Sequence, residues 1–361
     1  MPEPEQNAKP QTVTMRDVAR ESGFSPTTVS ITLNDAPLAR YLPAETKAKI
    51  RQVARRLGYR PNPFARSLRN KRSHSIGVMV SDVTDPFCTL ILRGIEGKLY
   101  QSSYVPVFTD THNEAVRFER YLEMLLDRRV EGLIIVANWL FVEIDVLADI
   151  ERHDIPTVLI GREFEKSSMS SITVDNQAGG TKAIEHLFGL GHRRIAFIRG
   201  PGILSDTDPR WKGVCGFASR AGLALDQDLV LDLPSSSNPA SGFEGGFALA
   251  QELLRRGNRF SAIMAFDDMT ALGAMRALAE SGVRVPEDCS IIGFDDIAPA
   301  ALCTPALTTV RQPMEEMGEI AAAIVVEGLG QGNESKDGAA RSRKVSPELV
   351  IRRSTAAVSP E

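Results

Sequence analysis

No CxxC pair occurs in this sequence, and its four cysteines, Cys88, Cys215, Cys289 and Cys303, are scattered. That spacing speaks against a disulfide framework or a metal site and for buried thiols in a reducing cytoplasm. No apolar run approaches the roughly 18 residues that a membrane span needs. The opening stretch MPEPEQNAKPQT lacks the apolar core of a signal peptide, so residues 1–13 are expected to form a short disordered arm. HExxH, GxSxG and the phosphate-loop pattern are absent, and the five histidines are dispersed. The pairs Asp267-Asp268 and Asp295-Asp296 are adjacent, so in regular structure both members of a pair cannot easily face one substrate. Glycines in NPASGFEGG and DNQAGG lack a GxGxxG frame and read as sites of close helix packing. These absences argue for a binding protein without catalytic residue, metal or cofactor.

What is there begins with an uneven charge. Thr14 to Arg72 holds 13 Lys and Arg against 4 Asp and Glu, a balance of +9 inside a chain whose total is −4. The first 13 residues carry −1, so residues 73–361 carry −12. A basic head on an acidic body suits a nucleic-acid-binding module joined to something else. Composition by itself also allows a chance excess in one window. At 361 residues and 43% hydrophobic, the chain is expected to form two or three domains.

The head reads as three helices over residues 14–60. Thr14 with Asp17 is a near capping box for a helix from Met15 to about Ser22, which Gly23 stops. Ser25 caps a second helix and Pro26 occupies its first turn. Two short helices around a tight Gly-containing turn form a helix-turn-helix. A third helix starts near Pro43, with Ile50, Val53, Ala54 and Leu57 as its apolar stripe. At about 100° per residue, Val29, Thr32 and Leu33 turn inward, while Pro26, Thr27, Ser30, Ile31 and Asn34 share the outer side. That face has no charge, although Arg16, Arg20, Lys47, Lys49, Arg51, Arg55 and Arg56 surround it. Hydroxyls and Asn suit phosphates or base edges, and Ile suits a thymine methyl. The competing reading is a solvated helix of small polar residues.

Residues 61–74 form the next unit. In RPNPFARSLRNKRS, Asn62 and Pro63 can start a short helix bearing Ala65, Leu68 and Arg69. Seven or so residues are too few to be helical alone in water, so the helix is conditional on DNA or a partner copy. Leu68 either wedges between base steps of the minor groove or docks on the body as part of a linker.

From Ser75 onward, IGVMV, VPVFTD, GLIIVA, IPTVLIG, SITVD, RIAFIRG, AIMAF, CSIIGF and LTTVRQ alternate with helical stretches. The alternation predicts an α/β class with parallel sheets, two of them because nine strands with their helices are many for one. Ligands in such folds bind at the carboxyl ends of strands. The candidates there are Asp82, Asp85 and Phe87, Asn138 and Trp139, Arg162, Asp206 to Arg210, Asp267, and Asp295. Carboxylates and Arg beside aromatic faces suit a polyhydroxylated ligand. Any one of these residues could instead cap a helix. The polar stretch QGNESKDGAARSR, 331–343, reads as a mobile loop.

TMRDVARESGFSPTTVSITLND followed by LGYRPNPFARSLRNKRSHSIGVMVSD resembles the head and hinge of lactose-repressor-type (LacI/GalR) transcription regulators. The likeness continues in GHRRIAFIRGP, AFDDMTALGAMRALAESGVRVPEDCSIIGFDD and PALTTVRQPMEEMGEIAA, and covers roughly residues 14–355. Where this family commonly has Arg or His on the reading helix, this chain has Ile31, which affects the operator sequence rather than DNA binding.

The resemblance implies a helix-turn-helix domain and hinge helix ahead of a two-subdomain fold like that of periplasmic sugar-binding proteins. It implies an effector domain over 75–361, with an N-subdomain of about 75–162 and 297–328 and a C-subdomain of about 163–296 and 329–361, joined by three crossovers. The DNA-contacting set is Thr14, Arg16, Ser25, Pro26, Thr27, Thr28, Ser30, Ile31, Asn34, Ala65, Leu68 and Arg69. The effector set is Asp85, Phe87, Asn138, Trp139, Arg162, Arg210, Asp267 and Asp295. Asp175 and His192 fall in family motifs and read as structural. The expected protein is a cytoplasmic homodimer on a palindromic double-stranded operator, a repressor governed by a small effector, a sugar first and a purine as the alternative. A free-standing sugar-binding protein is a further alternative, against which the basic head and the missing signal peptide both count.

Overall fold

The computed structural model describes residues 13–60, 72–136, 150, 155–162, 169–234, 241–257, 259–330 and 341–358. Two compact units divide after Ser73.

The first unit holds α1 (Met15–Ser22), α2 (Pro26–Leu33), a 3-10 helix (Pro37–Tyr41) and α3 (Ala44–Leu57). Both members of the Thr14–Asp17 capping box are formed, and Gly23 ends α1 at φ 79°, a left-handed conformation that lacks a steric cost only for glycine. Val18, Ala19, Val29, Ile50, Val53 and Ala54 make one small core, closed by Leu33, Leu57 and Tyr59. The inward and outward faces of α2 are those its periodicity gives.

The second unit contains two six-stranded sheets. The first is built from β1 (Ser75–Val80), β2 (Val105–Asp110), β3 (Gly132–Val136), β4 (Thr157–Ile160), β5 (Ser170–Val174) and a late strand (Ser342–Val345), in the order late–5–4–3–1–2. Its helices α4 (Pro86–Gln101) and α5 (Ala115–Asp127) follow β1 and β2. Ile76, Val78, Ile134 and Val136 point to one core and Met79, Leu133 and Ile135 to the other. Burial on both faces is why these strands read as unbroken apolar runs.

The second sheet follows α6 (Asn176–Gly189) and consists of β6 (Ile195–Arg199), β7 (Val230–Asp232), β8 (Ala262–Ala265), β9 (Ser290–Asp295), β10 (Thr308–Arg311) and a final strand (Glu348–Val350). Its order is final–10–9–8–6–7. Helices α7 (Thr207–Ala221), α8 (Ser241–Arg255), α9 (Asp268–Glu280) and α10 (Ala298–Leu302) belong with it, while α11 (Met314–Gly330) returns to α4 and the first sheet. With all strands introduced, the late strand is β11 and the final one β12. All nine apolar runs are strands. β7, β11 and β12 were not foreseen, and β12 runs antiparallel to β10.

The subdomain boundaries need correction. β5 pairs with β4 and β11, so residues 170–174 and 342–345 belong to the first sheet. β10 pairs with β9, so residues 308–311 belong to the second. The three crossings fall near Asp175, at Gln312–Pro313 and at Ser346–Pro347, each later than the expected 162, 296 and 328. The chain crosses only after a strand has run its length, and an apolar run does not say which sheet it joins. Of the presumed loop 331–343, residues 331–340 lie outside the described residues, while Ser342 and Arg343 are in β11.

Candidate functional site

On α2 the hydroxyl-rich face is partly closed on itself. Ser25 Oγ accepts from Thr28 N–H at 3.1 Å and shares a hydrogen bond with Thr28 Oγ1 at 2.9 Å. Asn34 is the residue that ends the helix, and its Nδ2 donates to Ser30 O at 2.9 Å and Ser30 Oγ at 3.3 Å. That NH₂ group is thus engaged within its own helix, which leaves Oδ1 as the atom by which Asn34 would meet a base edge. Thr32 is fully buried and its Oγ1 donates to Thr28 O. Pro26 and Thr27 are exposed and Ile31 is half-buried. Thr27 is the exposed hydroxyl of this face with no side-chain bond among the described residues. Thr14 is committed to its cap, its Oγ1 donating to Asp17 Oδ2 at 2.7 Å. That hydrogen bond holds the Asp17 carboxyl below its ordinary range. Arg16 is exposed. Ala65, Leu68 and Arg69 lie outside the described residues.

The surrounding charge is less free than its count suggests. Arg20 pairs with Asp17 at 2.7 Å, Arg51 with Asp35 at 2.5 Å and Arg56 with Glu21 at 2.6 Å. Arg16, Lys47 and Arg55 make no ion pair among the described residues. Exposed pairs of this kind contribute about 0–1 kcal/mol, so they open readily for a phosphate.

The second site is a cleft within the second unit, lined by Asp85, Pro86 and Phe87 from the first sheet's side. From the other side come Leu204, Asp206, Arg210, Phe266, Asp267, Met269, Asp295, Ile297 and Gln312. Arg210 is the centre. It is 6% exposed, and its guanidinium carbon lies 3.8 Å from the centre of the Phe294 ring and 4.5 Å from that of Phe266. Nε donates to Asn176 Oδ1 at 2.8 Å, Nη1 to Phe266 O at 2.7 Å, and Nη2 reaches Asp206 Oδ2 at 3.5 Å. Three of five N–H donors are thus used. Close helix packing sets this position: a Cβ on Gly180 of α6 would stand 2.2 Å from Arg210 O, and one on Gly213 of α7 would stand 2.1 Å from Gln177 O. DNQAGG therefore acts as the packing motif it was read to be.

Three carboxylates converge near that cation. Asp267 caps α9, its Oδ1 accepting from Thr270 N–H at 2.7 Å, and Oδ2 has no partner among the described residues. Asp295 Oδ1 accepts from Gln312 Nε2 at 2.5 Å. Burial drives the Asp295 carboxyl well above its ordinary range, Asp267 and Asp268 add to the rise, and Arg210 opposes it. Asp206 is raised by burial too, against the pull of Arg210. Asp295 and Asp296 sit at φ 119° and 62°, a costly backbone for residues other than glycine, and such strain is held in place by surrounding bonds. Asp296 is one such anchor, bonded to Arg311 Nε at 2.6 Å and Arg352 Nη2 at 2.5 Å.

The adjacent-pair argument holds. Asp267 and Asp295 line the cleft, while Asp268 points into the core. Asp268 Oδ2 accepts from Ile297 N–H at 2.9 Å and Oδ1 from Thr309 Oγ1 at 2.5 Å. Burial pushes its carboxyl up to about 7. Five expected effector residues, Asp85, Phe87, Arg210, Asp267 and Asp295, come together. Arg162, just past β4, does not line the cleft, and Asn138 and Trp139 lie outside the described residues. Asp82 bonds its own turn through Thr84. Phe266 and Gln312 were missed, although each directly follows a strand; the strand-end rule would have found them had it not been limited to Asp, Asn and Arg with selected aromatics. Asp175 caps α6, and His192 bonds Ser261 and Ala356 O, so both are structural as read.

Comparison with known proteins agrees with this layout. Residues 14–62 match the bacterial regulatory proteins of the lacI family, and residues 184–355 match the periplasmic binding protein-like domain. The chain is 32% identical to the ribose operon repressor of Escherichia coli, over 88% of this chain and 93% of that protein. It is 30% identical to the transcriptional repressor PurR of Photobacterium profundum, over 94% of this chain and 98% of that protein. Its fold is similar to that of the lac repressor dimer bound to operator and the anti-inducer ONPF, with a TM-score of 0.81 at 27% identity over 96% of this chain and 100% of that one.

Proposed function

The chain belongs to the lacI family of bacterial regulatory proteins, and on that premise we propose that it is a homodimeric repressor whose cleft takes a sugar or sugar derivative. DNA binding and transcriptional regulation come with the family. No helix among the described residues is long and apolar enough to cross a membrane, and we place the protein in the cytoplasm. The observation that carries the sugar reading is the pairing of Arg210 donors with open acceptors on Asp267 and Asp295. These two carboxylates stand at the ends of β8 and β9, neighbouring parallel strands. Each hydroxyl of a sugar both donates and accepts, so a row of them meets carboxylate and guanidinium together. Phe266 turns a face to Arg210, which leaves that face unavailable to a flat base.

Regulation then follows from closure. A ligand held by both sheets biases the angle between them, and in a dimer that change bears on how the two DNA-binding units meet the operator. DNA binding and effector binding are coupled by one reciprocal free energy. The test is a thermal-shift panel of pentoses, hexoses, disaccharides and purine bases on the full chain. A ligand at 100 times its dissociation constant stabilises by about 2.7 kcal/mol. We expect a sugar to do so, and a purine that outperforms every sugar would overturn the assignment.

A further inference from the structure

Between α2 and α3 the 3-10 helix Pro37–Tyr41 contributes one side chain, Ala39, to the interior. Its place is nevertheless fixed by the end of α2: Ala36 N–H donates to Ile31 O at 3.1 Å and Ala39 N–H to Ala36 O at 2.7 Å. Side chains three apart eclipse in a 3-10 helix. Leu38 and Tyr41 therefore share an edge, and they are 59% and 69% exposed. Arg40 backs that edge, its guanidinium carbon 4.7 Å from the Tyr41 ring centre and its Nη2 donating to Tyr41 Oη at 2.7 Å. Arg20, Arg51 and Arg56 each lean on a carboxylate. Arg40 leans on a neutral phenol, so its charge is held in position without being cancelled.

We propose that the Leu38–Arg40–Tyr41 edge is a second DNA contact, one that grips the sugar–phosphate strand bordering the groove that α2 reads. The proposal rests on the family reading of α2 as the groove helix. A helix lying in the major groove points its end toward a bordering strand, and an element continuous with that end meets the strand. The guanidinium fork offers further N–H groups to phosphate oxygens. Tyr41 Oη, accepting from Arg40, keeps its own O–H to donate outward. The Leu38 side chain and the Tyr41 ring cover deoxyribose, which is apolar on its C–H faces. Such contacts fix register and add affinity without reading sequence. They supply beside α2 the charge that α2 lacks.

The test uses the full-length protein, a labelled duplex of about 40 base pairs selected by the wild type from a random pool, and a scrambled duplex of the same length. Arg40→Ala, at an exposed side chain, should weaken both duplexes roughly tenfold per protomer, about a hundredfold for the dimer, the loss of one charge-assisted contact from each copy. Its log–log salt slope should be shallower by about 1.8, one phosphate fewer per protomer. Tyr41→Phe should lose about two- to threefold per protomer with the slope unchanged. Repeating the selection with Arg40→Ala should return the wild-type base preferences. Unchanged affinity and slope would overturn the proposal, as would altered base preferences. Weakened self-association in sedimentation with the wild-type slope would assign the edge to a second copy instead and also overturn it. If the wild type itself bound no duplex in a salt-dependent way, the groove-helix reading would fall, a result distinct from any of these.

Discussion

Thr27 on the outer face of α2 and Arg210 in the cleft stand at the two candidate sites, yet one is neutral and exposed while the other is a cation 6% exposed. Around Thr27 the charges stand in water, and several are paired with carboxylates across the surface. Around Arg210 two phenyl rings exclude water and each bonded partner is fixed. Exposed charge is cheap, diffuse and screened by salt, so it suits a long polyanion met many times along its length. Buried charge is costly to leave unpaired, so it suits one small molecule that must complete a set of hydrogen bonds. The head should therefore answer to salt, and the buried carboxylates of the second unit to pH.

The largest effect is expected from salt. If six to ten phosphates are contacted, DNA affinity should fall about 10³- to 10⁵-fold between 50 and 200 mM salt, while sugar affinity moves little. Fluorescence anisotropy for DNA and calorimetry for the sugar check this, and full DNA binding by a chain begun at Ser75 would break the comparison. Next comes pH, through Asp268. Its carboxyl titrates near 7 in the folded chain, against about 3.9 unfolded. Between those values the folded state holds a proton that the unfolded state has lost. Stability is thus full below pH 4, declines as pH rises, and levels off above 7, a span of about 4 kcal/mol for this group. Asp268→Asn can still accept from Ile297 N–H and meet the Thr309 hydroxyl, so it should flatten the decline in chemical unfolding between pH 5 and 8; an unchanged slope would show that Asp268 is not its source.

A smaller loss is expected inside the cleft. Asp295→Asn should weaken sugar binding by about 1.5–3 kcal/mol, the worth of a hydrogen bond to a charged group, and leave effector-free DNA binding at the wild-type level. Calorimetry showing wild-type affinity would remove Asp295 from the site. The smallest effect belongs to Ile31. It cannot make the bidentate contact to guanine that Arg makes, so the base pair opposite should be read through a thymine methyl worth about 0.8 kcal/mol. Replacing thymine by deoxyuridine at each half-site position in turn should cost roughly three- to fivefold at one position with wild type and nothing with Ile31→Ala. A strict guanine preference there would contradict the reading.

Local chemistry was the legible part of this chain. Thr14, Ser25 and Gly23 cap as their types dictate, and unbroken apolar runs became strands because both sheet faces are covered. β7, β11 and β12 escaped notice for a physical reason: they are sheet-edge strands of three or four residues, and β11, SRKV, is mostly exposed. In the cleft, the strand-end rule located Asp267 and Asp295, while Arg162, also just past a strand, is not among the lining residues described. Helical periodicity gives the direction of Asn34 and says nothing of the bonds from its Nδ2 back onto Ser30. The crossings were misplaced because pairing between distant segments leaves no local mark.

Those crossings bear on how the protein is made. β5 lies between β4 and β11, and β11 comes from residues 342–345. A ribosome delivers most of the chain before that strand appears, so the sheet begun first is completed only near the end of synthesis. Domains tend to fold as units while synthesis proceeds, but here the early unit waits with one flank of β5 uncovered. An open strand edge invites pairing with other chains. Arg341, Arg343 and Lys344 lie on the segment that finally closes it, and a nascent chain halted before them would leave the ribosome with that edge bare.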